Sequence, residues 1–336
     1  MAFDGIVTKA ICSELSSLTG ARIDKIFEPN KNNIVIGMYI NGVNYALNIC
    51  IEAQSCRLHL TTHPLSNPQV APNFCMLLRK NLIGLHLKNI YSLDLERLIV
   101  LEFEGFDDID DILNKKLIIE LMGKHSNVIL LDEQNIIIDS LRHIKNDDEK
   151  HRDILPHTRY SFPTSNKQNF LEIKDFDAFY SLIISNINKD PESQLSTIIS
   201  STFNGISKSF IDNITIELGY NLADINKSNN INDYLRQIYD YILNIINLID
   251  TNKLYFSTIN KSDGSLKDYY LTTTENEESE KYNIFPLNFY IDDFYYKKET
   301  LDNFKNYRNS LLKLILGTLQ KYNKRLIHIN QKLKDC

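Results

Sequence analysis

The chain has 336 residues, enough for about two domains, and its 43% hydrophobic and 24% charged residues argue against a disordered or fibrous protein. Net charge is −6 but unevenly spread: from Leu301 onward eight Lys/Arg face two Asp, so the first 300 residues carry −12. Bulk charge therefore predicts no general affinity for polyanions, only a local one in a basic C-terminal arm. No run reaches the ~18 apolar residues of a membrane span and no basic segment precedes an apolar one, so a cytoplasmic protein without a membrane partner is expected. Five cysteines (Cys12, Cys50, Cys56, Cys75, Cys336) form an odd set without a CxxC or His/Cys spacing, which argues against a disulfide framework or a zinc site.

Phe3, Ile6, Val7, Ala10, Ile11, Leu15 and Leu18 recur at helical spacing and Gly20 follows, which predicts an amphipathic helix with a glycine stop. Asp4 falls in its first turn, where a carboxylate suits the dipole or caps free N–H groups. From Ile23 the period becomes two. Strands over 34–40 and 43–51 meet at Asn41-Gly42, the signal for a two-residue type I′ hairpin. Arg57, His59 and Thr61 share one face of the next strand, which reads as solvated. A short helix over 73–82 carries Arg79-Lys80, a pair that is either plain surface or a phosphate contact. A strand pair over 85–103 follows. In it, alternation puts Asp94 and Glu96 on one face and Leu95 and Arg97 on the other, unless a turn intervenes. The acidic run 107–111 lacks the spacing of a calcium loop and reads as solvated.

Between the apolar runs Leu117-Ile118-Ile119 and Val128-Ile129-Leu130-Leu131 stands Glu120-Leu121-Met122-Gly123-Lys124-His125-Ser126-Asn127. It holds more hydrogen-bonding groups than a turn requires, so it is either an ordinary solvated turn or a surface that touches something. Residues 161–172 read as a polar linker, and helical periods return from Phe176. Phe203-Asn204-Gly205-Ile206-Ser207-Lys208 separates two apolar helical stretches. With its single Gly it is either a helix-hairpin-helix loop aiming N–H groups at a phosphate or a plain αα-hairpin. A helix over 234–249 and a strand pair about Asp263-Gly264 follow. From Leu301 the pattern is one long helix, with Leu312, Ile315, Leu319, Tyr322, Leu326, Ile329 and Leu333 three and four apart. That is a coiled-coil seam, expected to be the start of a longer coil.

The reading is an α+β protein: a β-rich domain, sandwich-like or a strongly curved sheet, with a packed N-terminal helix over 1–160, a helix-hairpin-helix-like domain over 173–250, a small β segment over 251–300, and a basic coiled coil from 301. No catalytic elbow, P-loop, GxGxxG or metal motif is present in the sequence. A binding protein without a cofactor is expected rather than an enzyme.

The order of motifs then resembles one family. Met1-Ala2-Phe3-Asp4-Gly5, Arg22-Ile23-Asp24-Lys25-Ile26, Arg57-Leu58-His59-Leu60-Thr61, Asn73-Phe74-Cys75-Met76-Leu77-Leu78-Arg79-Lys80 and the 120–127 stretch together are similar to the NFACT family. Its bacterial members are ribosome-quality-control factors, long labelled fibronectin-binding proteins. The resemblance implies association with large (50S) ribosomal subunits and their rRNA that hold a stalled peptidyl-tRNA. It also implies recruitment of alanyl-tRNA and non-templated alanine tailing of the nascent chain, with the ribosome doing the chemistry. Carried over motif by motif, it implies tRNA contacts at Asp4, Glu96, Arg97, Glu120, Leu121, Met122, Lys124, His125, Ser126 and Asn127, and RNA-backbone contacts at Arg57, Arg79 and Lys80. The family's Asp-Arg pair is Glu96-Arg97 here, so the acid stands one methylene farther out. Two rivals remain: a fibronectin- or fibrinogen-binding surface adhesin, and a DNA-glycosylase-like protein. The second would need an N-terminal proline nucleophile where this chain has Ala2.

Overall fold

Helix α1 (Gly5–Leu15) is buried on more than one face, with Ile6, Ala10 and Ile11 fully so and Thr8, Cys12 and Glu14 also enclosed. A helix covered all round belongs at the centre of a fold, and α1 packs against three strands of the sheet, Arg57–Leu60, His86–Ser92 and Leu98–Phe106, and against the helix Ile231–Asp250. The computed structural model describes residues 3–106, 112–145, 152–220, 230–251, 253–262, 266–275 and 284–334. The acidic run 107–111 and the Asp263-Gly264 turn lie outside them. By contacts the chain divides into two units, Met1–Tyr290 and Ile291–Cys336.

In the first unit nine strands form one antiparallel sheet: β1 (Arg22–Asn30), β2 (Asn33–Ile40), β3 (Val43–Cys50), β4 (Arg57–Leu60), β5 (His86–Ser92), β6 (Leu98–Phe106), β7 (Ile112–Glu120), β8 (Asn127–Leu131) and β9 (Ile137–Ser140), in the order β4-β3-β2-β1-β5-β6-β7-β8-β9. The β2–β3 turn is the expected one, Asn41 and Gly42 both having positive φ (51° and 81°). Of the two expected arrangements, a sandwich and a strongly curved sheet, the structure has a single curved sheet. β1 bonds β2 along its length but β5 only near Arg22, opposite His86, with Ile23 N–H donating to Leu85 O at 2.9 Å. Register shifts at Ile23/Lys25 and Phe27/Asn30 mark bulges in β1, and bulges bend a strand. The far ends meet again: the Arg142 guanidinium beyond β9 donates to Asn32 Oδ1 (2.8 Å) and Ile51 O (3.3 Å) beside β2 and β3.

Strands β6–β8 are buried at consecutive positions, so both faces are covered, which explains their unbroken apolar runs. Leu98, Val100, Ile118, Ile129, Leu131, Ile137, Ile154 and Tyr160 form one core cluster, each aliphatic contributing about 1.5–3 kcal/mol on burial. Helix α2 (Asn73–Leu82) packs on β1 and β9.

Helices α3 (Phe176–Lys189), α4 (Leu195–Thr202), α5 (Lys208–Glu217) and α6 (Ile231–Asp250) surround an aromatic cluster of Phe170, Phe176, Phe179, Phe203 and Tyr239, with Phe179 and Phe203 stacked at 5.7 Å. The α4–α5 turn packs against the sheet part, as a plain αα-hairpin does. Gly205 (φ +68°) accepts from Gly5 N–H at 2.8 Å, and a Cβ there would lie 1.6 Å from Leu95 O. A two-stranded hairpin, β10 (Tyr255–Asn260) and β11 (Leu266–Thr272), follows.

Helix α7 spans Pro286–Lys334. Its first turn is capped from outside by Glu14, which accepts from Leu287 N–H (2.9 Å), Asn288 N–H (3.1 Å) and Asn288 Nδ2 (2.8 Å), a favourable end for a carboxylate. In the second unit the seam residues Leu312 to Leu333 are exposed on this one helix. No second helix covers the seam among the described residues of that unit. No helix among the described residues is long and apolar enough to cross a membrane.

Candidate functional site

Two of the sequence motifs become neighbours through the sheet register. Leu98 at the start of β6 pairs with Glu120 at the end of β7, and Glu120 pairs with Asn127 at the start of β8. One step beyond, Leu121 N–H donates to Arg97 O at 2.9 Å. Glu96-Arg97 and the 120–127 stretch therefore share one rim of the sheet. Residues 93–97 are a tight turn, with Glu96 N–H on Leu93 O (2.7 Å) and Asp94 at φ +48°. Simple alternation thus stops there. Leu95 is buried beside Gly205, while Glu96 and Arg97 are half-buried.

Within 120–127 the residues separate into a buried and an outer set. Glu120 is 0% exposed and its carboxylate accepts from Arg152 NH2 (2.5 Å) and Tyr160 OH (2.7 Å). Arg152 also lies over the Tyr160 ring at 5.5 Å and donates to Ser161 O at 2.9 Å. Asn127 exchanges two hydrogen bonds with the Arg142 backbone (2.8 and 2.9 Å), and the Arg142 guanidinium donates to Ser126 O. Leu121 is core. Glu120, Leu121 and Asn127 are buried, and through these bonds they fix the loop. The Ser126 hydroxyl is also buried and has no hydrogen-bond partner among the described residues. Met122 is half-buried, and Lys124 and His125, in a 3₁₀ turn, are exposed.

Asp4 is likewise buried. It caps α1 by accepting from Val7 N–H (3.1 Å) and accepts from Ser207 Oγ (2.6 Å) at the head of α5. Burial pushes its carboxyl above the ordinary value, while the Ser207 and Val7 hydrogen bonds and the charge of Arg97 pull the other way. Asp4 is thus a clip between two helix starts. Arg57 is buried, donating to Ser55 O (2.9 Å) and to His59 Nε2 (3.1 Å). Burial first, then Arg57, lowers the His59 pKa to about 3. Arg79 donates to Ile26 O (2.7 Å) and lies over Phe27, whereas Lys80 is exposed. These two sit on α2, which packs on β1 and β9 and not on the strands that carry the rim.

The linker contributes two side chains here. Phe162 is 49% exposed and meets Tyr160 edge-on at 5.3 Å. Lys167 is exposed; its ammonium donates to Ser200 O at 2.7 Å. Burial and then the positive charge of Arg97 lower the Lys167 pKa, against the pull of Glu96. Burial raises the Glu96 carboxyl, opposed by Arg97 and Lys167. Arg97, Glu96 and Lys167 thus act on one another across the join between sheet and helices. Spacing alone gave no signal for Lys167, Arg152 or Phe162, because each reaches the rim from more than 25 residues away. Among the described residues no cluster of His, Cys, Asp and Glu could hold a metal ion.

The groups left outward near the strand ends are Met122, Lys124 and His125 in the 120–127 loop, Arg97 with Lys167, and Phe162 beside Tyr160. Guanidinium and ammonium groups suit phosphates, and aromatic faces suit unpaired bases.

The family described as NFACT N-terminal and middle domains matches residues 4–336. Two curated relatives are named Rqc2 homolog RqcH. That of Bacillus subtilis is 33% identical over 213 residues, 62% of this chain and 36% of the relative; that of Streptococcus suis is 27% identical over 338 residues, 100% of this chain and 55% of the relative. The chain spans about half the length of these relatives, or less. Among solved structures, the N-terminal domain of fibronectin-binding protein PavA from Streptococcus pneumoniae is similar with a TM-score of 0.58 at 28% identity, covering 65% of this chain and 80% of that one. The fibrinogen binding protein from Staphylococcus aureus is similar with a TM-score of 0.68 at 26% identity, covering 88% and 99%.

Proposed function

Because the chain belongs to the NFACT family, we propose that it serves ribosome-associated quality control by binding tRNA at the β6–β8 rim. The observation that carries this reading is the set of outward groups near the strand ends, Arg97, Lys124 and Lys167 with His125, Met122 and Phe162. The three cations neutralise phosphates, and each such contact adds to the salt dependence of binding. His125 and Phe162 take unpaired bases by stacking. Glu96 accepts from a 2′-hydroxyl or an exocyclic amine, and its extra methylene relative to the family's Asp moves that contact outward. The buried Glu120–Arg152–Tyr160 group holds the edge in shape.

In this reading the bound species is alanyl-tRNA on a large (50S) subunit that carries a stalled peptidyl-tRNA. Non-templated alanine addition is then the ribosome's chemistry, and this chain needs only to bind and position. Support comes from relatives named as Rqc2 homologues and from the character of the edge. The test is crosslinking in cells followed by sequencing of the attached RNA. Enrichment of tRNA(Ala) together with large-subunit rRNA is expected; absence of both would overturn the proposal. A second reading follows the names of the structural neighbours, fibronectin- and fibrinogen-binding proteins. Saturable binding of the purified, RNase-treated chain to immobilised fibronectin, without RNA enrichment in cells, would favour it.

A further inference from the structure

A cavity of about 600 Å³ opens between α3 and α4, within the size range of small-molecule sites. Its apolar part is Leu182 and Ile198, and its polar part includes Asn166, Gln168, Asn186 and Lys189. Asn186 Nδ2 donates to Thr202 Oγ1 (3.0 Å) and its Oδ1 accepts from Lys189 (3.2 Å). One amide hydrogen and one lone pair of Asn186, and two Lys189 N–H groups, are left for a ligand. The side-chain amides of Asn166 and Gln168 make no hydrogen bond among the described residues.

The cavity is tied to the rim by a single residue. Asn166 and Gln168 flank Lys167, and Gln168 bridges Phe203 in strand fashion, its N–H on Thr202 O at 2.8 Å and its carbonyl taking Asn204 N–H at 2.9 Å. Asn166 and Gln168 line the cavity, and between them Lys167, at a bend in the chain, donates to Ser200 O on α4 and acts on Arg97 and Glu96.

We propose that this cavity receives one unpaired nucleotide of the RNA whose backbone crosses Arg97 and Lys167. The aliphatic pair covers a base face, the three amides meet donors and acceptors on its edge, and the Lys189 ammonium meets a phosphate. Amides suit this task because each presents a donor beside an acceptor, the pattern found on base edges. Asp190, also in the lining, accepts from an exocyclic amine or a ribose hydroxyl. An aliphatic patch with amides and one cation fits a nucleotide better than a purely anionic ligand, which would ask for more positive charge.

The inference rests on the proposed tRNA binding, and the test separates the two. The full chain is titrated with tRNA and, separately, with AMP, GMP, CMP and UMP followed by the NMR signals of its Asn and Gln side-chain amides. Three variants are compared: Ser201→Trp, which plugs the cavity from an exposed position; Asn186→Leu, which removes the amide; and Arg97→Ala, at the rim. Expected are shifts of the Asn166, Gln168 and Asn186 amides with at least one monophosphate, lost in Ser201→Trp. Roughly tenfold weaker tRNA binding is expected in both cavity variants. Wild-type tRNA affinity in both cavity variants, together with a loss in Arg97→Ala, would overturn the cavity assignment and leave the rim reading standing. No tRNA binding by the unmodified chain would overturn the rim reading, and with it a nucleotide that arrives as part of tRNA. Monophosphates that move no cavity amide overturn the assignment whichever way tRNA behaves.

Discussion

Two buried carboxylates, Glu120 at the rim and Asp4 at the join between sheet and helices, come from sequence motifs of the same apparent kind and meet different surroundings. Glu120 faces a guanidinium and a phenol, Arg152 and Tyr160. Asp4 is hydrogen-bonded by neutral donors, the Ser207 hydroxyl and the Val7 amide. The first arrangement ties the strand ends to the segment that carries Phe162 and Lys167. The second fastens α5 to α1. A motif acid thus acts as a brace in both places, and the groups left to meet a partner are its neighbours in sequence or space. The difference lies in what happens when each acid is neutralised.

The join fails hardest through its glycines. Gly205→Ala would drive a Cβ to within 1.6 Å of Leu95 O at a positive φ. A loss of more than about 4 kcal/mol is expected in urea unfolding, the range reserved for steric strain in a core. At the rim, Glu120→Gln leaves the Arg152 guanidinium without its carboxylate, and breaking such a pair costs about 3–5 kcal/mol. Asp4→Asn keeps an acceptor for Val7 N–H and turns an amide N–H toward the Ser207 hydroxyl, which then accepts instead of donating, so it is expected to cost about 1 kcal/mol or less. A cost as large as that of Glu120→Gln would erase the distinction between the two acids.

The pH response sharpens the same comparison. The Asp4 carboxyl titrates above its ordinary value of 3.8 in the fold, so the folded chain holds a proton that the unfolded chain releases. Stability from this group is present below about pH 3.8 and is lost as pH rises through the folded-state value. In Asp4→Asn that part of the pH dependence disappears, and urea midpoints from pH 4 to 7 should fall less steeply than in the parent chain. The smallest effect is expected at Lys124→Ala, where an exposed side chain is removed. Its unfolding midpoint should stay within about 0.5 kcal/mol of the parent, while tRNA binding weakens.

How much of this was legible in the sequence follows from the range of each interaction. Helix α1 and the Asn41-Gly42 turn are written in local periods and turn chemistry and stand where those put them; the long C-terminal helix is too, but it begins at Pro286 rather than at Leu301. The choice between a sandwich and a single curved sheet is not, because the bulges in β1 and the short β1–β5 seam depend on strands some 60 residues apart. The 120–127 stretch could be singled out by its surplus of polar groups. Which of them are spent internally depended on Arg142, Arg152 and Tyr160, and no local spacing points to those partners. The 161–172 linker is legible as a loop from its polar composition, which says nothing of the surface it crosses. Asp4 was read correctly as a helix cap, but its second partner, Ser207, lies 203 residues away.

The central claim, that the outer half of the rim binds RNA while the buried half only holds it, is tested most directly at Arg97. The measurement is the equilibrium affinity of the chain for tRNA against salt concentration, for the parent and for Arg97→Ala, with urea unfolding of both. The account predicts roughly tenfold weaker binding and a salt slope smaller by about one unit, with an unchanged unfolding midpoint. Equal affinity and equal slope, or a loss of binding that only tracks a loss of stability, would contradict it.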